Sequence, residues 1–187
     1  MKLFGWIRGK DSSGGTERRR WREAWTEAVV AEDGSRAAAL RAQLNGLPLG
    51  AGDDNEVELE MIDALERLAL LAGETAAGAL PVVETQHRVL GGDRCHFTAP
   101  ASLPEDPSQP SGRVLFTGAR TFFVGGSQTQ PVAWHAVRDV LHAERDVVLV
   151  RADGTAAAHF RFNSYCDAVA AAFLARRLRG AKGTRTL

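Results

Sequence analysis

Cys95-His96 is the most enzyme-like dipeptide in the chain, because a thiol beside an imidazole is the pairing that makes a cysteine nucleophile. Strand alternation places Asp93, Cys95 and Phe97 on one face and Arg94, His96 and Thr98 on the other. The expectation is therefore a buried thiol beside Phe97, with no catalytic constellation. An activated thiol would need His87 or His159 brought to it by the fold. Zinc ligation by His87, Cys95, His96 and one of His135, His142 or His159 lacks any ligand-pair spacing, so no metal and no cofactor are expected. Gly91-Gly92 and Gly125-Gly126 read as turn glycines, since neither pair opens a helix that could hold a phosphate. Trp134-His135 reads as a core tryptophan followed by an exposed histidine. Glu84 and Asp93 have no recognisable carboxylate partner.

Charge points to surfaces more than to catalysis. The 187 residues carry 23 basic and 23 acidic side chains, yet basic residues gather before Arg22 and after Asp167, while 53–74 is acidic. Such a layout suits an internal electrostatic fit or a partner that meets the ends. Lys2, Leu3, Phe4, Trp6, Ile7, Arg8 and Lys10 could lie in a membrane interface, apolar side chains among the headgroups and cations on anionic lipid. Each buried large side chain contributes about 1.5 to 3 kcal/mol and each cation about 1 kcal/mol, against about 1 to 2 kcal/mol per residue ordered. The expected anchor is weak and reversible, and packing on the protein's own domain is the alternative. Arg18, Arg19, Arg20 and Arg22 alternate with an apolar helix face and read as solvated, so no nucleic acid is expected. Arg176, Arg177 and Arg179 form a second basic cluster at the end of the last helix.

Two cysteines are too few for a disulfide framework, which makes a reducing cytoplasm the default compartment. No apolar run approaches the roughly 18 residues of a membrane span. Leu3 to Ile7 is too short for the apolar region of a secretory signal. The length suits one domain plus an appendage, or two small domains.

Three helices are expected first. Trp21, Trp25, Ala28 and Val29 share one face of a helix over 17–31, preceded by a linker over 11–16. Ser35 is placed to cap a second helix through Leu44. Asp53 or Asp54 is placed to cap a third through Ala72, with Asp53 and Glu56 at capping-box spacing. On that third helix Leu59, Ile62 and Leu70 widen the stripe of Val57, Met61, Ala64, Leu65, Leu68 and Leu71, so it touches something on two sides. From Leu80 the texture becomes β: Val82–Leu90, Arg94–Thr98, a proline-rich loop over 99–111, then a hairpin of Val114–Phe116 and Thr121–Val124. Thr129–Trp134, Val137–Ala143, Val147–Arg151 and Ala157–Phe162 follow, and Asn163 or Ser164 caps a final helix over 165–179. The hairpin is apolar on both sides, so it is covered on both.

About seven strands and one terminal amphipathic helix form the pattern of a small barrel plugged by that helix. Gly112-Arg113-Val114-Leu115-Phe116-Thr117, then Arg120 and Phe122-Phe123-Val124, resembles the hairpin of the GRAM-like branch of the pleckstrin-homology (PH) superfold. Pro131-Val132 to Val137, Val140, and Phe160 with Phe162 look like later strands of that branch. The resemblance covers about 82–179. It implies an α+β fold, a PH-like barrel preceded by a helical region, and a non-catalytic binding module for phosphoinositides or protein segments. Arg88 and Arg94 are the only cations between Leu80 and Pro110, and the Ala, Gly and Arg content looks bacterial, so a protein partner or self-association moves ahead of specific lipid recognition. The organisation expected is a basic N-terminal segment and linker over 1–16, helices over 17–78, the PH-like domain over 80–180 and a basic tail over 181–187. The first function expected is an interaction module or scaffold in the cytoplasm. The second is a peripheral adaptor on anionic membrane at its inner face, using Met1–Lys10 and the basic end of the last helix. The third is an enzyme built on Cys95 and His96.

Overall fold

Eight consecutive residues of the last helix, Ala168 to Ala175, are buried, which on a helix means cover on every side. Small alanines let neighbours approach closely, and the rest of the fold is arranged around this rod. The computed structural model describes residues 13–47, 55–125 and 128–180. Helices α1 (Ser13–Val30), α2 (Ala37–Asn45) and α3 (Glu56–Thr75) come first. Strands β1 (Cys95–Ser102), β2 (Ser111–Thr117), β3 (Arg120–Gly125), β4 (Gln128–Ala133), β5 (Asp139–Ala143), β6 (Asp146–Val150) and β7 (Ala156–Phe162) follow, and then α4 (Tyr165–Gly180). No helix among the described residues is long and apolar enough to cross a membrane.

The seven strands form one antiparallel sheet in the order β4-β3-β2-β1-β7-β6-β5. The α+β class and the strand number agree with expectation; barrel closure does not. Strands β4 and β5 are the two edges, with the 3₁₀ turn Trp134–Ala136 between them in the chain, and no ladder joins them among the described residues. The halves meet where Ala101 pairs with Phe162 and Ser102 with Arg161. Pro100 lies just outside that short pairing, so a residue expected in a loop is accommodated inside β1.

One face of the sheet packs on α4, and α4 in turn packs on α3, so Trp25, Leu65, Phe173, Phe116 and Phe160 belong to a single apolar core. The helical region is therefore built into the fold. Gly34 marks how close the layers come: a Cβ there would lie 2.6 Å from the backbone nitrogen of Ala69. A similar constraint explains Gly112 in the hairpin, where a Cβ would lie 2.4 Å from the Val124 carbonyl oxygen, beneath the Phe123 ring.

The opposite, outer face of β1–β3 carries a second cluster, Leu90, Cys95, Leu115 and Phe122, with Val83, Val89 and Val124 packed against it. The hairpin is thus covered on both faces, the outer cover coming from residues 81–90. That segment was expected to be a strand. It makes one isolated bridge, Val83 to Cys95, and a 3₁₀ turn at Arg88–Leu90, because its apolar side chains cap a sheet face and do not extend the ladder.

Local corrections are small. Helix α1 begins at Ser13, inside the expected linker. The Ser35 hydroxyl bonds the Asp33 carboxylate and makes no cap to α2. Ser164 does cap α4, its hydroxyl accepting from the Asp167 N–H at 3.0 Å. Met1–Lys10, the Asp53–Glu56 capping box, the turn at Gly126-Ser127 and the 181–187 tail fall wholly or partly outside the described residues.

Candidate functional site

The thiol occupies a different place from the one alternation suggests. A register irregularity between Cys95 and Phe97 pairs Cys95 with Thr117 and Phe97 with Phe116. The extra residue, His96, turns Cys95 to the outer face while Phe97 stays in the main core. Buried at 2% exposure, the Cys95 thiol donates to the Phe97 carbonyl at 3.1 Å. Burial pushes its pKa up, only partly offset by backbone bonds at Phe97 and Phe116. A nucleophilic cysteine needs the opposite shift. The His96 Nδ1–H donates to the Pro81 carbonyl at 2.8 Å, committing that nitrogen to the cover segment.

Other titratable groups serve the joint between helices and sheet. Glu60 of α3 accepts from the Tyr165 N–H at 2.8 Å, capping α4 from outside its own chain segment, and from Arg145 at 2.7 Å. Arg145 lies over the Tyr165 ring at 4.9 Å, and Trp25 meets that ring edge-on at 5.7 Å. His142 of β5 packs beside Trp25, and its Nε2 is buried with no hydrogen-bond partner among the described residues. Burial, reinforced by Arg176, lowers its pKa to about 4. Glu58, 1% exposed, takes two hydrogen bonds from Arg22 of α1 at 2.9 and 2.6 Å. Elsewhere, His159 of β7 bridges Glu105 of the β1–β2 loop at 2.9 Å and Asp146 of β6 at 3.1 Å. Burial alone would raise the Asp146 pKa, but bonds from Arg161 and His159 outweigh it and hold the carboxyl below its usual range.

The basic end of α4 is engaged within the chain. Arg176 and Arg177 pair with Glu32 at 3.6 and 3.0 Å, and Arg177 also lies over Phe173. Arg176 reaches the Val140 carbonyl, Arg179 bonds the Arg138 carbonyl, and the Asp139 carboxylate accepts from the Val140 N–H. These contacts cover part of the free edge of β5, the usual remedy for an exposed strand edge.

A concave surface lies at the far end of the helical region. Glu17, Arg20 and Trp21 of α1, Ala42 and Gln43 of α2, and Gly46 and Leu47 line a groove of about 380 Å³. Trp21 is the most deeply buried of these, 4% exposed, with its Nε1–H donating to the Leu40 carbonyl at 2.8 Å. Glu17 and Arg20 put both signs of charge on the rim. Sequence reasoning assigned Trp21 to a buried face and missed the groove, because α1 and α2 form it together and neither helix carries it alone. No group of three or more His, Cys, Asp or Glu suited to a metal occurs among the described residues.

No family model matches the chain, and no curated protein matches it. Among solved structures it is similar to the C-terminal domain of an unknown protein from Leishmania infantum, at 12% identity and a TM-score of 0.42, over 49% of this chain and 89% of that one. A likeness that weak carries no argument about function.

Proposed function

We propose that the chain is a non-catalytic interaction module of PH-like, GRAM-like type, acting in the cytoplasm and binding a protein partner, a second copy of itself being the first candidate. The observation that carries this reading is the groove between α1 and α2. It has a volume of about 380 Å³, apolar lining from Trp21, Ala42 and Leu47, and one acid and one base in Glu17 and Arg20. The strand order, four strands on one side of β1–β7 contact and three on the other with a single C-terminal helix, supports the PH-like reading. The upward-shifted Cys95 thiol weighs against the enzyme reading.

Sedimentation analysis over a wide concentration range tests the self-association arm. The wild-type mass is expected to rise with concentration, and Ala42→Arg, which puts a charge into the groove, to remain monomeric. A wild-type monomer throughout would remove self-association and leave a different protein as the partner.

The composition of Met1–Lys10 favours a second reading, a peripheral adaptor on anionic membrane. Arg176, Arg177 and Arg179 are occupied by Glu32, Val140 and Arg138, so this reading rests on the N-terminal segment. Co-sedimentation with anionic vesicles at low salt, lost both at moderate salt and on deletion of residues 1–12, is the expected result. Equal binding by the intact and shortened chains would defeat it.

A further inference from the structure

The cover over the outer face packs on a small cluster of its own and joins the sheet by one isolated bridge. Residues 81–90 contribute no strand to the sheet, and among the described residues their hydrogen-bonded links to it are the bridge at Val83, whose N–H donates to the Cys95 carbonyl at 2.8 Å, and the His96–Pro81 bond, while Leu80 before them packs on the main core. Beneath them Cys95, Leu115 and Phe122 make, with Leu90 of the cover itself, a cluster separate from the main core. Positive-φ glycines stand at both ends of the cover: Gly78 at 82° before it, and Gly91 at 57° and Gly92 at 96° after it. Inside it, the His87 Nδ1 is buried without a hydrogen-bond partner among the described residues, a cost that lifting the segment would relieve by hydration.

We propose that residues 81–90 are a hinged lid that lifts as a unit while the main core stays folded, uncovering the apolar face formed by Cys95, Leu115 and Phe122. Parts of a protein with few inward bonds and a small private cluster open at lower free energy than the whole molecule. The hinges need residues free to change φ and ψ, and glycine has that freedom. The hidden face belongs to β1–β3, on the side of the sheet away from α4, so opening leaves the contact between α4 and the sheet untouched. This inference is independent of the groove and of the reading placed on it.

Cys95 reports the opening, because its thiol is covered when the lid is closed. In a Cys166→Ser chain, Cys95 is the only cysteine, and its reaction with a small maleimide can be followed under native conditions. The lid predicts labelling at least about tenfold faster than global unfolding allows, with a shallower urea dependence than the global transition. It also predicts that Ile62→Val, in the main core, leaves the native labelling rate unchanged. Were global unfolding the route to the thiol, that substitution would speed labelling by about two- to tenfold. Leu90→Ala, which removes the lid's buried side chain, is expected to raise the rate by about thirtyfold or more while far-UV circular dichroism stays native. Labelling that tracks global unfolding in urea, or that follows Ile62→Val, overturns the proposal.

Discussion

Truncating Trp25 to alanine is expected to lower stability by about 3 to 5 kcal/mol, the range for removing a large buried aromatic side chain. Its indole is 2% exposed, donates to the Met61 carbonyl at 2.6 Å and meets Tyr165 edge-on, so one side chain ties α1 to α3 and to the start of α4. Truncation opens a cavity at that three-way contact and removes the second hydrogen bond to the Met61 carbonyl, which keeps its helical one. Against a typical total of about 5 to 15 kcal/mol, this is a large fraction. Urea unfolding followed by far-UV circular dichroism measures it. A loss below about 1 kcal/mol would mean that the helical region is not locked into the core.

The second large effect is on pH dependence. His142 titrates at about 4 in the fold, against an ordinary value of 6.5, because burial and Arg176 disfavour its charged form. Asp146 of β6 and the Glu144 backbone pull weakly the other way, and Trp25 of α1 contributes an apolar wall. The unfolded chain therefore binds the proton first as pH falls. The neutral ring's contribution is complete above pH 6.5 and is lost between 6.5 and about 4, at about 1.4 kcal/mol per pH unit, or about 3 kcal/mol in all. Below that window both states are protonated and nothing more is lost. The depressed carboxyl of Asp146 acts at lower pH, since its contribution disappears only as pH falls through its folded value. His142→Phe keeps a ring beside Trp25 and removes the titration, so the wild-type minus variant stability difference should slope with pH across this window and flatten above it. A difference independent of pH would show that the ring is hydrated in the fold.

The two residues behind these effects were unequally legible. The spacing of Trp25 from Trp21 and Val29 marked it as core on helical periodicity alone. His142 sits in a strand that alternation identifies, but its surroundings come mainly from Trp25 and Arg176, which lie far away along the chain. Local sequence has no term for that environment.

Much of the fold is a local matter. Helical spacing from Trp21 to Val29 and from Met61 to Leu71, β-branched and aromatic runs from Val114 to Val124, and a serine before Tyr165 suffice to place α1, α3, the hairpin and α4, because each pattern reports which face of its own element must leave water. Tertiary structure decided the rest. A single extra residue at His96 turned Cys95 away from Phe97, and side-chain alternation contains no warning of a bulge. Val82–Leu90 has strand composition but became a cover: it bridges β1 only at Val83 and Cys95, and Val83, Val89 and Leu90 instead pack on the outer face of the hairpin. Glu32 and the carbonyls of Arg138 and Val140 claimed the arginines of α4, and the groove at Trp21 exists only where α1 and α2 meet. Periodicity fixes what each element must bury; which partner buries it is settled by packing among residues distant in the chain.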